Sequence, residues 1–352
     1  MREVSVEESG LSVIPDVDAA ALGEWLPTNG IATSGALTCT RVGVGQSNLT
    51  YLLADAQGGR WVVRRPPVGN LLASAHDVVR EARILSALAD TDVPVPAILG
   101  VCDDASVAPV PLVVMEFVSG VVLDNIETAR ALSPSTRAAV ADSMVATLAQ
   151  IHAVDLEAVG LADLASHKPY AARQLKRWSA QWEKSKTREL ADLDALTRRL
   201  SAQIPEQHET RLVHGDFHTR NVMVDPGDGR VCAALDWELS TLGDPLADIG
   251  STLAYWPEPG ELPLSAAPVE LLDGFPDRDQ LAAAYLERTG RDPQALRFWH
   301  ALGLWKVAII AEGVMRRAHE NPTNRAAAGV PTVAMIDGLV AKAISVADAA
   351  GL

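Results

Sequence analysis

Residues 213–221 read VHGDFHTRN, and the chain continues through residue 238 as VMVDPGDGRVCAALDWE. Two histidines, an aspartate, an arginine and an asparagine crowd into nine residues directly after an apolar strand. Taken alone, such a cluster is a polar turn or a site, and loops are polar as a rule. The continuation separates the two readings. It has the pattern strand, turn, strand, with the turn PGDG centred near Gly227 and Asp228. Antiparallel pairing about that centre joins residues whose numbers sum to roughly 455. Asn221 and Asp236 then meet at the open end of the hairpin, with Asp216 just before it. Three oxygen-bearing side chains converge, and such hard ligands suit Mg²⁺. Asp236, flanked by apolar residues in AALDWE, is poorly explained as a solvated charge.

The order H-G-D-x4-N, a hairpin and then an aspartate resembles the protein-kinase-like phosphotransferases, specifically the aminoglycoside phosphotransferase family. The set HGD…N…LDWE…GDP extends the resemblance over most of residues 38–320. It implies an α+β, bilobal protein-kinase-like fold, with a small β-rich N-terminal lobe and a larger α-helical C-terminal lobe. It implies ATP and Mg²⁺ as cofactors. Asp216 would be the catalytic base that orients and deprotonates the substrate hydroxyl, and Asn221 and Asp236 would hold Mg²⁺ bridging the ATP phosphates. His214 is expected to brace the loop. His218 either contacts substrate or bonds the backbone, and a structural role is favoured for both histidines. Arg220 is expected to pair with an acid.

The N-terminal part carries the nucleotide side of the resemblance. GVGQSN (43–48) lies between two strands. Gly43 and Gly45 let the backbone approach phosphates and Ser47 adds a polar contact, although most such glycine pairs are hairpin turns. Asn48 stands where a protein kinase has its third glycine. In WVVRRPP (61–67), Arg64 occupies the position of the ATP lysine, and an arginine fork can still clamp phosphate. The helix SAHDVVREARILSALAD (74–90) has Ser74 as an expected N-cap, with Asp77 three residues on. Val78, Ala82, Leu85 and Leu88 form its apolar stripe. Glu81 lies on that stripe, and a carboxylate facing a core needs a partner. Arg64 is the natural one; a neighbouring surface arginine is the alternative. PLVVMEFVSG (111–120) resembles the kinase hinge, in which backbone groups of Glu116 and Val118 would hold the adenine edge.

The 352 residues suit one large or two linked domains. The expected division is an N-terminal extension over 1–35 with a short helix near Asp18–Leu26, a nucleotide-binding lobe over 36–119, and a catalytic and substrate-binding lobe over 120–352. A net charge of −15 and the lack of any long Lys/Arg run argue against nucleic acid as a partner. Cys39, Cys102 and Cys232 form no metal motif and suit a reducing, cytoplasmic setting. Lys306 and Glu312 interrupt the most apolar helical stretch, ALGLWKVAIIAEGV, so no membrane span is expected. In TLGDPLADIG (241–250), Asp244 is expected as an N-cap before Pro245, and Asp248 as a brace behind the catalytic loop.

The expected partner is a small hydroxyl-bearing molecule, sited among the helices around 170–200 and 296–318. Trp178 and Trp182 share one helical face. Trp305, Ile309, Glu312 and Arg316 share another, where the glutamate and arginine either line a pocket or pair with each other. RRPPVGNLLASAHDVVRE (64–81) resembles the kinase domain that is elsewhere fused to acyl-CoA dehydrogenases, which implies a hydroxyacyl compound or its CoA thioester as acceptor. The alternatives are an aminoglycoside or amino-alcohol kinase, or a nucleotide-binding regulatory protein of weak catalysis.

Overall fold

The computed structural model describes residues 14–42, 48–67, 77–265, 267–320 and 329–352. The chain forms two compact units, Met1–Val121 and Val122–Leu352, which divide just past Ser119-Gly120.

The first unit is built on a five-stranded sheet: β1 (Thr38–Val42), β2 (Leu49–Ala54), β3 (Arg60–Arg65), β4 (Ile98–Cys102) and β5 (Leu112–Glu116), in the order β1-β2-β3-β5-β4. Alternation along β2 buries Leu49, Tyr51 and Leu53 on one face, as period-two side-chain placement requires. Helix α1 (Ala19–Thr28) is capped by Asp18, whose Oδ1 accepts from the amides of Ala20 and Ala21 at 2.9 Å. Residues 14–35 are more than an appendage. Ile14, Leu22, Leu26 and Ile31 share one core with the β2, β3 and β5 residues. Trp25 covers Gly100, where a Cβ would lie 2.8 Å from the indole ring. Buried Arg65 donates to the carbonyls of Pro66 and Pro15, tying the segment before α1 to the end of β3.

Helix α2 (Val78–Leu88) begins later than the sequence suggests. Its N-cap is Asp77, which accepts from Arg80 N at 2.9 Å; Ser74, the expected cap, lies outside the described residues. The stripe Val78, Ala82, Leu85 and Leu88 is buried as expected, and Glu81 is buried with it.

A two-residue strand β6 (Val121–Val122) lies at the boundary. The second unit contains α3 (Ile126–Ala131), α4 (Pro134–Ala153), α5 (Tyr170–Ser185), α6 (Ala191–Ala202), β7 (Arg211–Val213), β8 (Val222–Val224), β9 (Val231–Ala234), β10 (Thr241–Gly243), α7 (Pro245–Tyr255), α8 (Arg278–Thr289), α9 (Pro293–Glu320) and α10 (Val333–Ala350). Two glycines set its centre. A Cβ on Gly303 of α9 would lie 2.5 Å from Gly250 O, and one on Gly250 of α7 would lie 2.5 Å from Trp299 C. The two helices therefore cross with their backbones in contact. Helix α9 is long and apolar enough to cross a membrane by length and composition, yet 78% of its apolar window is buried within the protein. Glu312 and Arg316 on this helix do not pair. Buried Glu312 takes Thr187 N at 3.0 Å and closes the turn after α5, while Arg316 bonds Glu320 at 2.6 Å.

Candidate active site

The loop after β7 is held by Asp248 of α7. One Asp248 oxygen accepts from His214 N at 2.5 Å and the other from Gly215 N at 2.8 Å. From the far side, His152 approaches Asp248 Oδ2 at 3.2 Å, and its other ring nitrogen meets the Tyr285 hydroxyl at 2.7 Å. Burial raises the Asp248 pKa, but the His152 imidazole together with the Gly215 amide and the other groups around it outweighs burial and holds the carboxyl below its ordinary value. Asp248 thus fastens two consecutive amides of the loop. It gets into position because α7 starts at a firm stop, with Asp244 capping Leu246 N at 2.9 Å ahead of Pro245. Gly215 allows the turn. Its φ is +87°, and a Cβ there would fall 2.7 Å from Leu239 O.

His214 joins this loop to the hairpin. Its Nε2 lies 2.9 Å from Leu235 O, and its Nδ1 is 3.4 Å from Asp216 N. These partners fix the neutral tautomer with hydrogen on Nε2, and burial lowers the ring's pKa accordingly. The hairpin pairs Val222 with Ala234 and Met223 with Ala233. Beyond the ladder, Leu235 N donates to Asn221 O at 2.8 Å, so Asn221 and Asp236 do lie at its open end. Asn221 Nδ2 donates to Asp216 O at 2.8 Å and to Asp216 Oδ2 at 3.2 Å. That orientation leaves Asn221 Oδ1 as an oxygen donor for a cation. Asp236 adopts left-handed backbone angles, φ 63° and ψ 63°, a conformation costing a non-glycine residue about 1–3 kcal/mol. Among the described residues only Asp16 shares this sign of φ outside glycine.

The Asp216 side chain is 27% exposed, and its Oδ2 lies 3.5 Å from His218 Nε2. Burial pushes its carboxyl up, but the His218 imidazole and the Lys306 ammonium together hold it well below the usual carboxylate range. His218 is buried, packs edge-on against Tyr255 at 4.8 Å between ring centroids, and has no partner for Nδ1 among the described residues. Its contact is with the Asp216 carboxylate, not with the backbone. Arg220 has no acid within ion-pair distance among the described residues.

In the first unit, Arg64 Nε lies 2.8 Å from Glu81 Oε2, as the sequence anticipated, with side chains 16% and 5% exposed. Asn48 Nδ2 approaches the same oxygen at 3.5 Å, and Arg64 also reaches Thr50 Oγ1 at 3.3 Å. Glu116 ends β5 with its N–H donated to Ala97 O at 2.9 Å. Val118 follows in the half-buried connection. Gly43, Gly45 and Ser47 lie outside the described residues.

Residues 38–299 match the model of the phosphotransferase enzyme family. The chain belongs to this family. It is 37% identical over 303 residues to acyl-CoA dehydrogenase family member 10 of Mus musculus, covering 82% of this chain and 27% of that one. The chain thus spans about a quarter of that relative's length. A protein of Ralstonia eutropha JMP134, named as an aminoglycoside phosphotransferase, superposes with a TM-score of 0.74 at 32% identity, over 95% of this chain and 97% of that one. A thermostable mutant of an aminoglycoside phosphotransferase, solved as a ternary complex with ADP and hygromycin B, shares the fold at a TM-score of 0.56 and 15% identity, covering 93% and 96% of the two chains. The mixed α+β architecture is accordingly the kinase-like fold that members of this phosphotransferase enzyme family adopt.

One residue that holds the loop after β7 escaped the sequence reading. Lys306, three residues past Gly303 on α9, donates from Nζ to Gly215 O at 3.0 Å. Its signal was an ammonium interrupting an apolar helix, but nothing local names a partner 91 residues away. Among the described residues no three His, Cys, Asp or Glu side chains form a metal cage. An asparagine oxygen and one carboxylate instead suit a cation that keeps waters and phosphate oxygens in its shell.

Proposed function

We propose that the chain is an ATP- and Mg²⁺-dependent kinase that moves the γ-phosphoryl group to the hydroxyl of a small molecule. The observation that carries this reading is the fixing of the Asp216 carboxylate. His218 lies against Oδ2, Asn221 bonds both Oδ2 and the main-chain carbonyl, and His214 lies near the amide. A carboxylate kept ionised and aimed by its neighbours can orient an incoming hydroxyl and accept its proton late in a loose transition state. Asn221 Oδ1 and the Asp236 carboxylate are the donors for Mg²⁺, which would supply charge neutralisation on the transferring phosphoryl oxygens. The left-handed Asp236 fits that role, since backbone strain is retained where a side chain must be aimed. Arg64, oriented by Glu81, is the phosphate clamp. The carbonyl of Glu116 and the amide of Val118 are the groups for the adenine edge, with Gly43, Gly45 and Ser47 at the phosphates.

The complex of the more distant neighbour with ADP supports nucleotide use. Similarity to an acyl-CoA dehydrogenase family member favours a hydroxyacyl acceptor, free or as its CoA thioester, over an aminoglycoside. A nucleotide-binding protein of weak turnover is the second reading, favoured by Arg64 standing in place of lysine. The test is ADP release from ATP with hydroxy acids, hydroxyacyl-CoAs, amino alcohols and aminoglycosides as acceptors, with and without Mg²⁺. Acceptor-dependent release that requires Mg²⁺ is expected. Mg-dependent ATP binding with no turnover on any acceptor favours the second reading, and no ATP binding overturns both.

A further inference from the structure

Beside Gly215 lies a cavity of about 20 Å³, bounded among others by Tyr170, Gln174, Trp178, Trp299 and Lys306. One water needs roughly 10–15 Å³, whereas a whole small-molecule site takes about 300–1,000 Å³. The notch therefore takes a head group and not an entire acceptor.

Its free groups are donors. Lys306 Nζ uses one N–H on Gly215 O at 3.0 Å and rests 5.7 Å from the centre of the Trp178 ring. It has no carboxylate within ion-pair distance among the described residues. Gln174 commits Oε1 to Trp178 Nε1 at 3.0 Å, and its amide nitrogen has no partner among the described residues. The Tyr170 hydroxyl has no protein partner among the described residues. Asp248, the one acid on the wall, is already engaged by His214 N, Gly215 N and His152. Burial pulls the Lys306 pKa down against the opposing pull of Asp216 and Asp248. A partly buried ammonium facing a donor-lined notch is compensated by an occupant with negative oxygens.

We propose that this notch receives a carboxylate of the acceptor, with Lys306 as its charge partner and Gln174 and Tyr170 as further donors. The inference rests on Asp216 as the residue that receives the acceptor hydroxyl, because Gly215 O, bonded by Lys306, belongs to the peptide leading into Asp216. It narrows the acceptor to a free hydroxy acid, since a CoA thioester, an amide or a polyamine brings no carboxylate to this position.

The probes are 3-hydroxybutanoate, its amide and the corresponding amine, 4-aminobutan-2-ol. Binding to the full chain is followed by ligand-observed saturation-transfer NMR, with MgATP affinity measured separately. The acid is expected to bind about tenfold more tightly than the amide, the difference between a charge-assisted and a neutral hydrogen bond. Lys306→Met should reduce that preference to less than about twofold with MgATP affinity unchanged. Should Lys306→Met not fold, Gln174→Ala serves instead, with an expected loss of a few-fold in acid affinity. Equal binding of acid and amide, tighter binding of the amine, no binding of the acid, or an undiminished preference in the folded variant overturns the proposal. Failure of MgATP binding, by contrast, strikes the kinase reading and leaves the acid preference to be judged separately.

Discussion

Replacing Asp216 by Asn keeps the shape of the side chain and removes its charge and basicity. General bases contribute about 10²–10⁴-fold, and most when their pKa lies near the working pH. The structure places Asp216 at the weak end. His218 and Lys306 hold its carboxyl below the ordinary range despite burial, so it is a poor proton acceptor. On the proposed kinase reading its main contribution is then orientation of the hydroxyl, some of which an asparagine oxygen retains. We expect kcat to fall by about 10²–10³, the lower half of that span. MgATP affinity should stay nearly constant, because Asn221 Oδ1 and the Asp236 carboxylate are untouched. The stability change has a definite sign as well. A carboxyl whose native pKa is depressed stabilises the fold above its unfolded pKa, and this contribution disappears as pH falls through the native value. The variant should therefore melt somewhat lower than the parent at pH 7 and converge with it in strong acid. The assay is steady-state ADP release with the best acceptor found, alongside thermal melts of the same sample. Full specific activity in a destabilised variant would refute the catalytic role and leave a polar turn braced by its aspartate.

Three further predictions follow from other parts of the molecule. Arg64→Ala should weaken ATP binding more than Glu81→Ala, and because the pair lies 2.8 Å apart with Glu81 buried, a double-mutant cycle should return a coupling of about 0.5–3 kcal/mol; additive losses contradict the pairing. Asp236→Gly should relieve the left-handed strain and raise stability by up to about 1 kcal/mol in denaturant melts while abolishing Mg-dependent turnover; parental turnover would remove Asp236 from the metal site. Burial, with Arg278 and Lys342 nearby, pushes His300 down to about 3 from its ordinary 6.5, so the unfolded chain binds a proton that the native chain refuses and stability drops as pH falls through that window. His300→Gln should flatten the slope of melting temperature against pH between 7 and 5, and an unchanged slope sinks that assignment.

What could be read from the sequence was what short-range geometry encodes. The hairpin register followed from a turn centre and antiparallel pairing, and it put Asn221 and Asp236 where they are found. The Arg64–Glu81 pair followed from an acid on an apolar helical stripe that needed a cation on a neighbouring strand. Asp244 and Pro245 announced the start of α7 through capping chemistry. The misses have the opposite character. Asp77, not Ser74, caps α2, because the apolar period fixes the helix's face more tightly than its first residue. Helix α1 belongs to the core of the first unit because Trp25 finds Gly100, a match of ring and missing Cβ that no local pattern displays.

Lys306 shows why the remainder of the site was hidden. The sequence presents it as a blemish in an apolar helix and gives no reason for its position. The reason lies in two glycines 53 positions apart, Gly250 and Gly303, which let α7 and α9 touch through their backbones. That contact carries Asp248 to the two amides before the catalytic loop turns and Lys306 to the carbonyl just after them. A Cβ at either glycine would drive the helices apart by a good fraction of an ångström, and overpacking of that kind costs about 1–3 kcal/mol. The same shift would separate the two clamps on Gly215, so close packing in the helical core and the aim of the Asp216 carboxylate are a single requirement on this sequence.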